Sequence, residues 1–304
     1  AVAQVSKQAF TYVFNRETGE PVWPIVERPV PQSTVPGERL SPTQPFPTKP
    51  PPFDRQGVTL DDLIDFTPEL RQEALAIVED FAFGPLFTPP ILAGHDGKEG
   101  VIQLPGLIGG ANWPGGSVDP ETGYIFIQSA TYPWVNALEA PDPEESDLSY
   151  RFENWTRVPP GPQGLPLFKP PYARLTAIDL NRGEIVWQIP LGDGPREKVN
   201  ELIGDGTDVG PLGWEAQAAV NGNSPLVTST LLFVNQGVSR QEDNPQLGVM
   251  RAFDKATGSL IWEQPIDTGP RGLPMTYLHE GKQYLVFGVG GGDSPGGLRA
   301  YALP

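Results

Sequence analysis

The sequence contains no cysteine, only two histidines and two methionines, and fewer basic than acidic residues. The absence of cysteine excludes disulfide frameworks, thiol nucleophiles and thiolate metal sites together. With 21 Lys and Arg against 37 Asp and Glu, the formal net charge is −16. This charge disfavours nucleic acid and anionic membrane surfaces as partners, because binding to either depends chiefly on Lys and Arg neutralising phosphate.

Long hydrophobic runs are also lacking. No run approaches the roughly 18 residues of a membrane-spanning helix, and the opening AVAQVSKQAFTYVF predicts a strand rather than a signal peptide. Glycine and proline are abundant instead, with 35 and 37 residues in 304. Since 38% of the residues are hydrophobic, 10% aromatic and 19% charged, the composition favours a folded, turn-rich, all-β protein over disorder.

One sequence pattern of the form A-x-D-x-x-x-G-x-x-x-W recurs along the chain. Residues 177–187 and 252–262 match it, and residues 13–23 match it with Val for Ala and Asn for Asp. Partial copies occupy residues 118–127 and 298–304. The Asp or Asn side chain can bond the backbone of a turn, and the glycine supplies a positive φ. Each copy therefore predicts a β-hairpin, and we expect its tryptophan to pack against the neighbouring sheet.

Such hairpins cannot bury their faces alone, so they are expected to stack side by side as blades of a β-propeller. Residues 1–304 are predicted to form a single propeller segment. The spacing between successive repeat tryptophans exceeds the roughly 40–45 residues of one blade. We therefore expect long loops on one face of the propeller.

The largest insertion is predicted at residues 24–90. Eleven prolines from Pro21 to Pro52 indicate an extended surface loop, since proline cannot donate to a β ladder. A helix is expected beyond it, capped by Thr67, with Pro68 at its first position and Gly84-Pro85 at its end. Its apolar positions at helical spacing are Leu70, Ala74, Ile77, Val78 and Phe81. A second irregular stretch, residues 140–171, is expected to be another loop.

The hairpins resemble the tryptophan-docking repeats of the quinoprotein dehydrogenases, eight-bladed propellers that hold pyrroloquinoline quinone (PQQ). Five segments resemble the glucose-dehydrogenase-like branch, in the family's order: SKQAFTYVFNRETGEPVWPIVERPVPQS, GERLSPTQPFP, GGANWPGGSVDPETGYIFI, RLTAIDLNRGEIVWQIPLGD, and GLPMTYLHEGKQYLVFGVGGG with AYALP. The resemblance spans nearly the whole chain. It places the chain in the C-terminal half of the longer family members.

This resemblance implies a dehydrogenase that oxidises a sugar or alcohol hydroxyl by hydride transfer to PQQ and passes electrons to a membrane quinone or cytochrome. It also implies a periplasmic setting. In the family the calcium ligands and the general base lie upstream of these segments. We therefore expect Ca²⁺ to be bound outside this chain, the missing N-terminal half to complete the propeller, and the chain to be inactive alone.

Three residues are predicted to bind the cofactor: Lys7, Asn112 and Trp113. In the resembling family a cation at the position of Lys7 reaches the quinone oxygens, where it would stabilise the negative charge that develops during oxidation. Asn112 and Trp113 lie among four glycines that allow close backbone approach, and the family places this segment at the quinone site. The alternatives are an exposed lysine at a strand start, glycines that serve a turn, and a core tryptophan.

Several other residues are weaker candidates for a functional site. Trp214 and Asn223 lie where many family members have a cofactor-facing Trp-Gly-Gly arrangement, but the match fails residue by residue and favours a turn. His95 and His279 are expected in solvated turns. The glycine run at 290–293 lacks the Gly-Lys-Ser/Thr ending and the following helix of a phosphate loop. Two further functions stay open: a non-catalytic propeller acting as scaffold or assembly protein, and another enzyme, such as a lactonase or lyase, on the same architecture.

Overall fold

The computed structural model of the chain describes residues 1–112, 114–153, 158–204, 206–213, 224–237, 248–291 and 294–302. Its strands in chain order are β1 (Val2–Val5), β2 (Thr11–Phe14), β3 (Ile25–Pro29), β4 (Thr43–Pro47), β5 (Ala82–Phe83), β6 (Ile91–Leu92), β7 (Val101–Gln103), β8 (Ser117–Asp119), β9 (Tyr124–Ala130), β10 (Trp134–Glu139), β11 (Arg151–Phe152), β12 (Ala173–Asp179), β13 (Glu184–Pro190), β14 (Leu226–Val227), β15 (Leu231–Gly237), β16 (Gly248–Asp254), β17 (Leu260–Ile266), β18 (Pro270–His279), β19 (Lys282–Gly291) and β20 (Ser294–Ala302). The α-helices in these ranges are α1 (Pro68–Val78) and α2 (Arg196–Ile203). Neither is long and apolar enough to cross a membrane.

Most strands belong to four antiparallel sheets that we number as blades. Blade 1 is the β1–β2 hairpin, blade 2 has the order β13-β12-β9-β8, blade 3 the order β14-β15-β16-β17, and blade 4 the order β18-β19-β20. The first strands of blades 2, 3 and 4 lie beside one another, so β8, β14 and β18 mark the hub. This is the β-propeller architecture that the repeats predict.

Two tryptophans dock on the repeat turn of the next blade. A Cβ built on Gly183 of blade 2 would lie 2.9 Å from Cζ2 of Trp23, and one built on Gly258 of blade 3 would lie 2.9 Å from Cε3 of Trp187. Both glycines have positive φ, of 66° and 75°. The expected packing of the indole against the neighbouring sheet is confirmed, and the contact requires the turn residue to have no side chain.

The third repeat has the turn chemistry that its sequence predicts. The Asp254 carboxylate accepts hydrogen bonds from the backbone N–H groups of Ala256 and Thr257 at 3.0 and 2.9 Å. Trp262 meets the neighbouring blade 4, where its ring centroid lies 5.9 Å from that of Tyr301. Blade 4 covers Trp262 only in part, since 37% of the residue remains exposed to solvent.

All the repeat turns lie at one end of the blades, which we call the hairpin end; the opposite end is the loop end. Strands that reach the loop end are joined by residues 6–10 in blade 1 and by residues 131–172 in blade 2. The connection from blade 2 to blade 3 also leaves and returns at this end. The connection from blade 1 to blade 2, residues 24–116, leaves near the hairpin end, where the Lys49 Nζ donates to the Arg182 carbonyl at 3.1 Å, and returns to β8 at the loop end. The expectation of long loops on one face is confirmed.

The long connections build a second layer, which we call the cap: the sheet of β5, β6, β7, β10 and β11 with α1 and α2. Its buried core draws on several separate stretches of chain and includes Ile64, Ala74, Ile102, Val135, Phe168 and Val199. The cap therefore takes in the later part of the predicted insertion at 24–90, from Val58 onward, and reaches well beyond residue 90. Within residues 140–171, the two-residue strand β11 pairs with β10.

Helix α1 begins as predicted and ends earlier. Thr67 Oγ1 accepts a hydrogen bond from the Leu70 N–H at 3.2 Å, and Pro68 is the first helical residue. The helix stops at Val78 rather than Gly84, because Ala82 pairs with Val101 in the cap sheet. Helix α2 was not expected, since its sequence REKVNELI is short and polar and buries a single residue.

The expectation that residues 21–52 form only an extended loop is wrong, because β3 and β4 pair there as an antiparallel ribbon. The backbone N–H groups of Val30 and Thr48 donate to the carbonyls of Pro42 and Pro24 at 3.1 and 2.9 Å. These bonds place the hydrogen-bonded pairs of the ribbon at even-numbered residues. The strand prolines are at odd positions, 29, 45 and 47, where the ladder needs no N–H.

Candidate functional site

Lys7 lies at the loop end, in the turn between β1 and β2, with an exposed side chain. Its Nζ donates to the Leu107 carbonyl oxygen at 3.1 Å. An ammonium has three N–H donors, and within the described residues this bond is the polar contact that Lys7 makes. The cation is therefore anchored at one donor and has two left for an acceptor group.

A glycine-rich loop packs directly on the stem of Lys7. Gly109 has a φ of 86°, and a Cβ built on it would lie 2.7 Å from both Cβ and Cγ of Lys7. The Gly110 N–H donates to the Lys7 carbonyl at 2.9 Å, and the Gly110 carbonyl accepts from the Ala130 N–H at 2.8 Å. The loop thus joins the turn of blade 1 to the end of β9, and only glycine at position 109 fits this approach.

Asn112 follows in the same loop, which leads into β8 at the hub. It is half-buried, and its Nδ2 donates to the Ile108 carbonyl at 3.4 Å. Its own carbonyl accepts from the Gly115 N–H at 2.9 Å, which closes the turn. The structure therefore brings together the segments of Lys7 and Asn112, while Trp113 lies outside the described residues.

A pocket of about 210 Å³ opens beside Lys7, between blade 1 and the cap. Its lining includes Phe87 and Gln103 from the cap. Phe87 has a φ of 69°, unusual for a bulky residue, and stacks edge-on against Phe46 with centroids 5.6 Å apart. Gln103 Nε2 donates to the Thr88 carbonyl at 2.6 Å, which fixes the wall of the pocket.

The loop end also carries an unsatisfied buried amide. Gln128, two residues before Ala130 on β9, is 2% exposed, and neither its Nε2 nor its Oε1 has a hydrogen-bond partner among the described residues. Unpaired buried amides are uncommon in native folds. Gln128 lies on the face of β9 that packs against blade 3, as Phe126 does, and so does not belong to the site of Lys7. The remaining donors of Lys7, beside the glycine-rich loop, suit a ligand with acceptor oxygens.

Sequence reasoning missed a buried ion pair below the glycine-rich loop. Arg174 Nη1 lies 2.7 Å from Asp54 Oδ1, and the two side chains are 8% and 1% exposed. A signal for Arg174 existed, because every residue of β12 is buried and a charge there needs a partner. The partner lies 120 residues earlier, beyond the proline-rich segment, where no periodic pattern points to it.

Arg55 and Tyr172 flank this pair. Burial lowers the pKa of Arg55, and the charge of Arg174 lowers it further. Arg55 compensates by donating to the carbonyls of Lys169 and Pro170 at 2.8 and 2.6 Å. Burial raises the pKa of the Tyr172 phenol.

Both histidines are exposed to solvent, as expected. His95 begins a short 3-10 helix and its side chain is 39% exposed, and His279 is the last residue of β18, next to the hairpin turn, with a side chain 65% exposed. Across the described ranges, no three His, Cys, Asp or Glu residues come together as metal ligands. Trp214, Asn223 and residues 292–293 lie outside the described residues.

Stacked antiparallel blades and tryptophan docking at one end define a β-propeller, and the lysine beside a glycine-rich loop marks a candidate site at its loop end. The chain matches the family model described as "PQQ: Glucose/ethanol/alcohol dehydrogenase, beta-propeller domain" over residues 1–285. It belongs to this family of quinoprotein dehydrogenases.

Known relatives are longer than this chain. The quinate/shikimate dehydrogenase (quinone) of Acinetobacter baylyi is 26% identical over 100% of this chain and 38% of its own length. The quinoprotein glucose dehydrogenase of Escherichia coli is 28% identical over 98% of this chain and 38% of its own length. A solved quinohemoprotein alcohol dehydrogenase from Pseudomonas putida superposes with a TM-score of 0.49, at 19% identity over 95% of this chain and 32% of that one. The chain thus spans about two fifths of the curated relatives that it matches.

Proposed function

We propose that the chain forms one wall of the PQQ site in a dehydrogenase that oxidises a hydroxyl group of a sugar or alcohol. The observation that supports this most directly is the packing of Lys7 against the glycine-rich loop at the loop end of a propeller of this family. When bound, PQQ would supply the oxidant that takes the hydride from the substrate carbon.

Lys7 has the role of an electrostatic contact in this proposal. Its bond to the Leu107 carbonyl and its packing on Gly109 hold the ammonium in place before any ligand arrives. A preorganised cation stabilises negative charge as it develops on a neighbouring oxygen, at little reorganisation cost. Two N–H donors of Lys7 serve this purpose.

Asn112 and Trp113 complete the wall. In this proposal the half-buried amide of Asn112 bonds the polar edge of the cofactor, and likeness to the family assigns Trp113 to the same wall. The pocket between blade 1 and the cap, which Lys7 lines, is the place where we propose that a small hydroxyl compound binds.

Four further parts of the proposal rest on likeness to the family. Electrons pass to a membrane quinone or a cytochrome, Ca²⁺ is held by ligands outside this chain, and the protein works in the periplasm. Because the chain spans about two fifths of its curated relatives, the rest of the propeller comes from a preceding half of the same protein.

The test is a titration of the longest natural form of the protein with PQQ, in which binding is monitored by the absorption spectrum of the quinone. We expect micromolar or tighter binding with a perturbed spectrum, and at least about tenfold weaker binding in Lys7→Ala, since a charge-assisted hydrogen bond contributes roughly 1.5–3 kcal/mol. Lys7→Arg should retain part of the affinity. Lys282→Ala, which removes an exposed lysine at the hairpin end, should change nothing.

Two results would contradict the proposal. A natural protein that binds no PQQ at micromolar concentration would favour a non-catalytic scaffold, or a different enzyme such as a lactonase or lyase. Unchanged PQQ affinity in Lys7→Ala would show that the cofactor lies elsewhere.

A further inference from the structure

The buried pair of Asp54 and Arg174 lies at the loop end without lining the pocket beside Lys7. Both carboxylate oxygens of Asp54 are occupied. Oδ1 accepts from Arg174 at 2.7 Å and from the Thr131 hydroxyl at 2.6 Å, and Oδ2 accepts from the Ser129 hydroxyl at 2.5 Å. Arg174 Nη1 also bonds the Thr131 hydroxyl. One carboxylate thus ties the segment after the proline-rich stretch to β9, to the residue that follows β9, and to β12.

These contacts converge on the backbone that holds the candidate site. Ser129 and Thr131 flank Ala130, whose N–H donates to the Gly110 carbonyl at 2.8 Å. A Cβ built on Gly110 would lie 3.5 Å from Cβ of Asp54, so the ion pair sits directly behind the glycine-rich loop. The Phe53 N–H, next to Asp54, donates to the Ala9 carbonyl at 3.0 Å and ties the same segment to the turn of Lys7.

The energetics of buried ion pairs indicate that this pair fixes the position of the surrounding backbone more than it stabilises the fold. Desolvating two charges costs about as much as their attraction returns, so a buried ion pair is on average no more stabilising than neutral side chains of similar volume. Removing one partner is nevertheless costly, because the remaining charge is buried without compensation. The two charged side chains and the hydroxyls of Ser129 and Thr131 hold one another in a fixed geometry, which restricts the backbone around them.

We propose that Asp54 and Arg174 are positioning residues, which hold Gly110 and Ala130 in register and so fix the placement of Lys7 relative to Asn112. The ligand that depends on this placement is a rigid planar quinone, which cannot adapt to a displaced wall. The inference rests on the proposed function, because it requires PQQ to bind at this site.

The experiment compares a neutral double variant with its single variant and with a matched pair elsewhere. Arg174→Met should lower the melting temperature, since it leaves Asp54 charged and unpaired. Asp54→Asn with Arg174→Met should recover most of that loss, because no buried charge remains and Asn still bonds the hydroxyls. We expect the double variant to bind PQQ about tenfold or more weakly, comparable with the loss of a supporting hydrogen bond behind a cofactor or metal ligand.

The matched control is the ion pair of Asp119 and Lys255 at the hairpin end, with side chains 4% and 12% exposed and a 2.8 Å separation. Asp119→Asn with Lys255→Met should leave PQQ affinity within twofold of wild type. If the double variant at 54 and 174 does not fold, the Thr131→Val variant tests the positioning role instead. It removes the hydroxyl that both charges bond, at nearly constant shape, and should also weaken PQQ binding.

The outcomes separate the two proposals. Recovery of PQQ affinity together with melting temperature in the double variant would overturn the positioning role, as would unchanged affinity in Thr131→Val if the double variant cannot be made. Loss of affinity that persists after stability has recovered supports it. A wild-type protein that binds no PQQ would overturn the proposed function and this inference together.

Discussion

Single residues set the distance between the glycine-rich loop and Lys7. Gly109 and Gly115 both have positive φ, of 86° and 71°, yet their surroundings differ. A Cβ on Gly109 would collide with Lys7 and with the Ala111 carbonyl at 2.7 Å, whereas a Cβ on Gly115 meets no described residue within 4 Å. Position 109 therefore couples loop geometry to the ammonium, and position 115 does not.

This difference predicts the effect of alanine at the two positions. Both substitutions place alanine at positive φ, which costs roughly 1 kcal/mol. Gly109→Ala should in addition displace Lys7 and weaken PQQ binding about tenfold, while Gly115→Ala should bind PQQ within threefold of wild type. Parallel titrations of the two variants measure this, and equal losses would show that backbone strain alone is responsible.

The pKa of Asp119 predicts an acid-dependent contribution to stability. Burial disfavours the ionised form, but hydrogen bonds from Lys255, Thr122 and the Glu121 N–H outweigh it and hold the pKa below its usual value. Because the pKa is lower in the folded than in the unfolded state, the ionised group stabilises the fold at neutral pH. That stabilisation is lost as pH falls below about 4 and through the folded pKa.

The free energy of unfolding of the wild type should therefore fall more steeply below about pH 4 than that of Asp119→Asn. Denaturant unfolding at a series of pH values gives both curves. Asp96→Asn, at a side chain that is 88% exposed, should keep the wild-type slope. Parallel curves for wild type and Asp119→Asn would contradict the assignment.

At this scale the repeat pattern predicted the turn residues, because Asp, Gly and Trp at fixed spacing are local signals. The roles of Lys7 and Asn112 rest on the resemblance to the family and stay predictions. The sequence did not predict Asp54 as the partner of Arg174. Their contact depends on how the long connections fold back on the loop end, which no sequence periodicity encodes.

At the scale of elements, tryptophan docking links each blade to the next. The absence of a side chain at the turn glycine is required only where an indole packs on it. Gly183 contacts Trp23, whereas a Cβ built on Gly19, at the same repeat position, meets no described residue within 4 Å. Blade-to-blade packing therefore depends on a subset of the repeat glycines.

Gly183→Ala should destabilise the fold more than Gly19→Ala. Both lose roughly 1 kcal/mol to positive φ, and Gly183→Ala should lose a further ~1–3 kcal/mol as the crowded indole shifts. Chemical denaturation of the two variants checks the ordering. Equal stability of the two would contradict the docking interpretation.

Elements with local signals were predicted well. The capped start of α1 follows from Thr67 and Pro68, and the repeat hairpins follow from Asp, Gly and Trp at fixed spacing. The β3–β4 ribbon was missed because proline count hides which positions need an N–H. Helix α2 was missed because its stability comes from burying Val199 in the cap core rather than from its own sequence.

At the scale of the whole molecule, the propeller blades supply a rigid frame and the long connections supply the site. Lys7, the glycine-rich loop and the cap all belong to connections at the loop end, opposite the docking turns. This separation allows loops to change without loss of the blades.

The isolated chain should show no dehydrogenase turnover when PQQ and Ca²⁺ are added. By likeness to the family, the general base and the calcium ligands come from the preceding half of the protein. Reduction of an artificial electron acceptor with glucose, quinate and glycerol as substrates measures this. Robust turnover by the 304-residue chain would contradict the division of the site.

The most direct measurement is a crystal structure of the natural protein with PQQ bound. The account predicts the quinone at the loop end, with Nζ of Lys7 within hydrogen-bond distance of one of its oxygens and the loop of residues 109–112 against the ring. PQQ bound at the hairpin end, or Lys7 turned to solvent away from the cofactor, would contradict it.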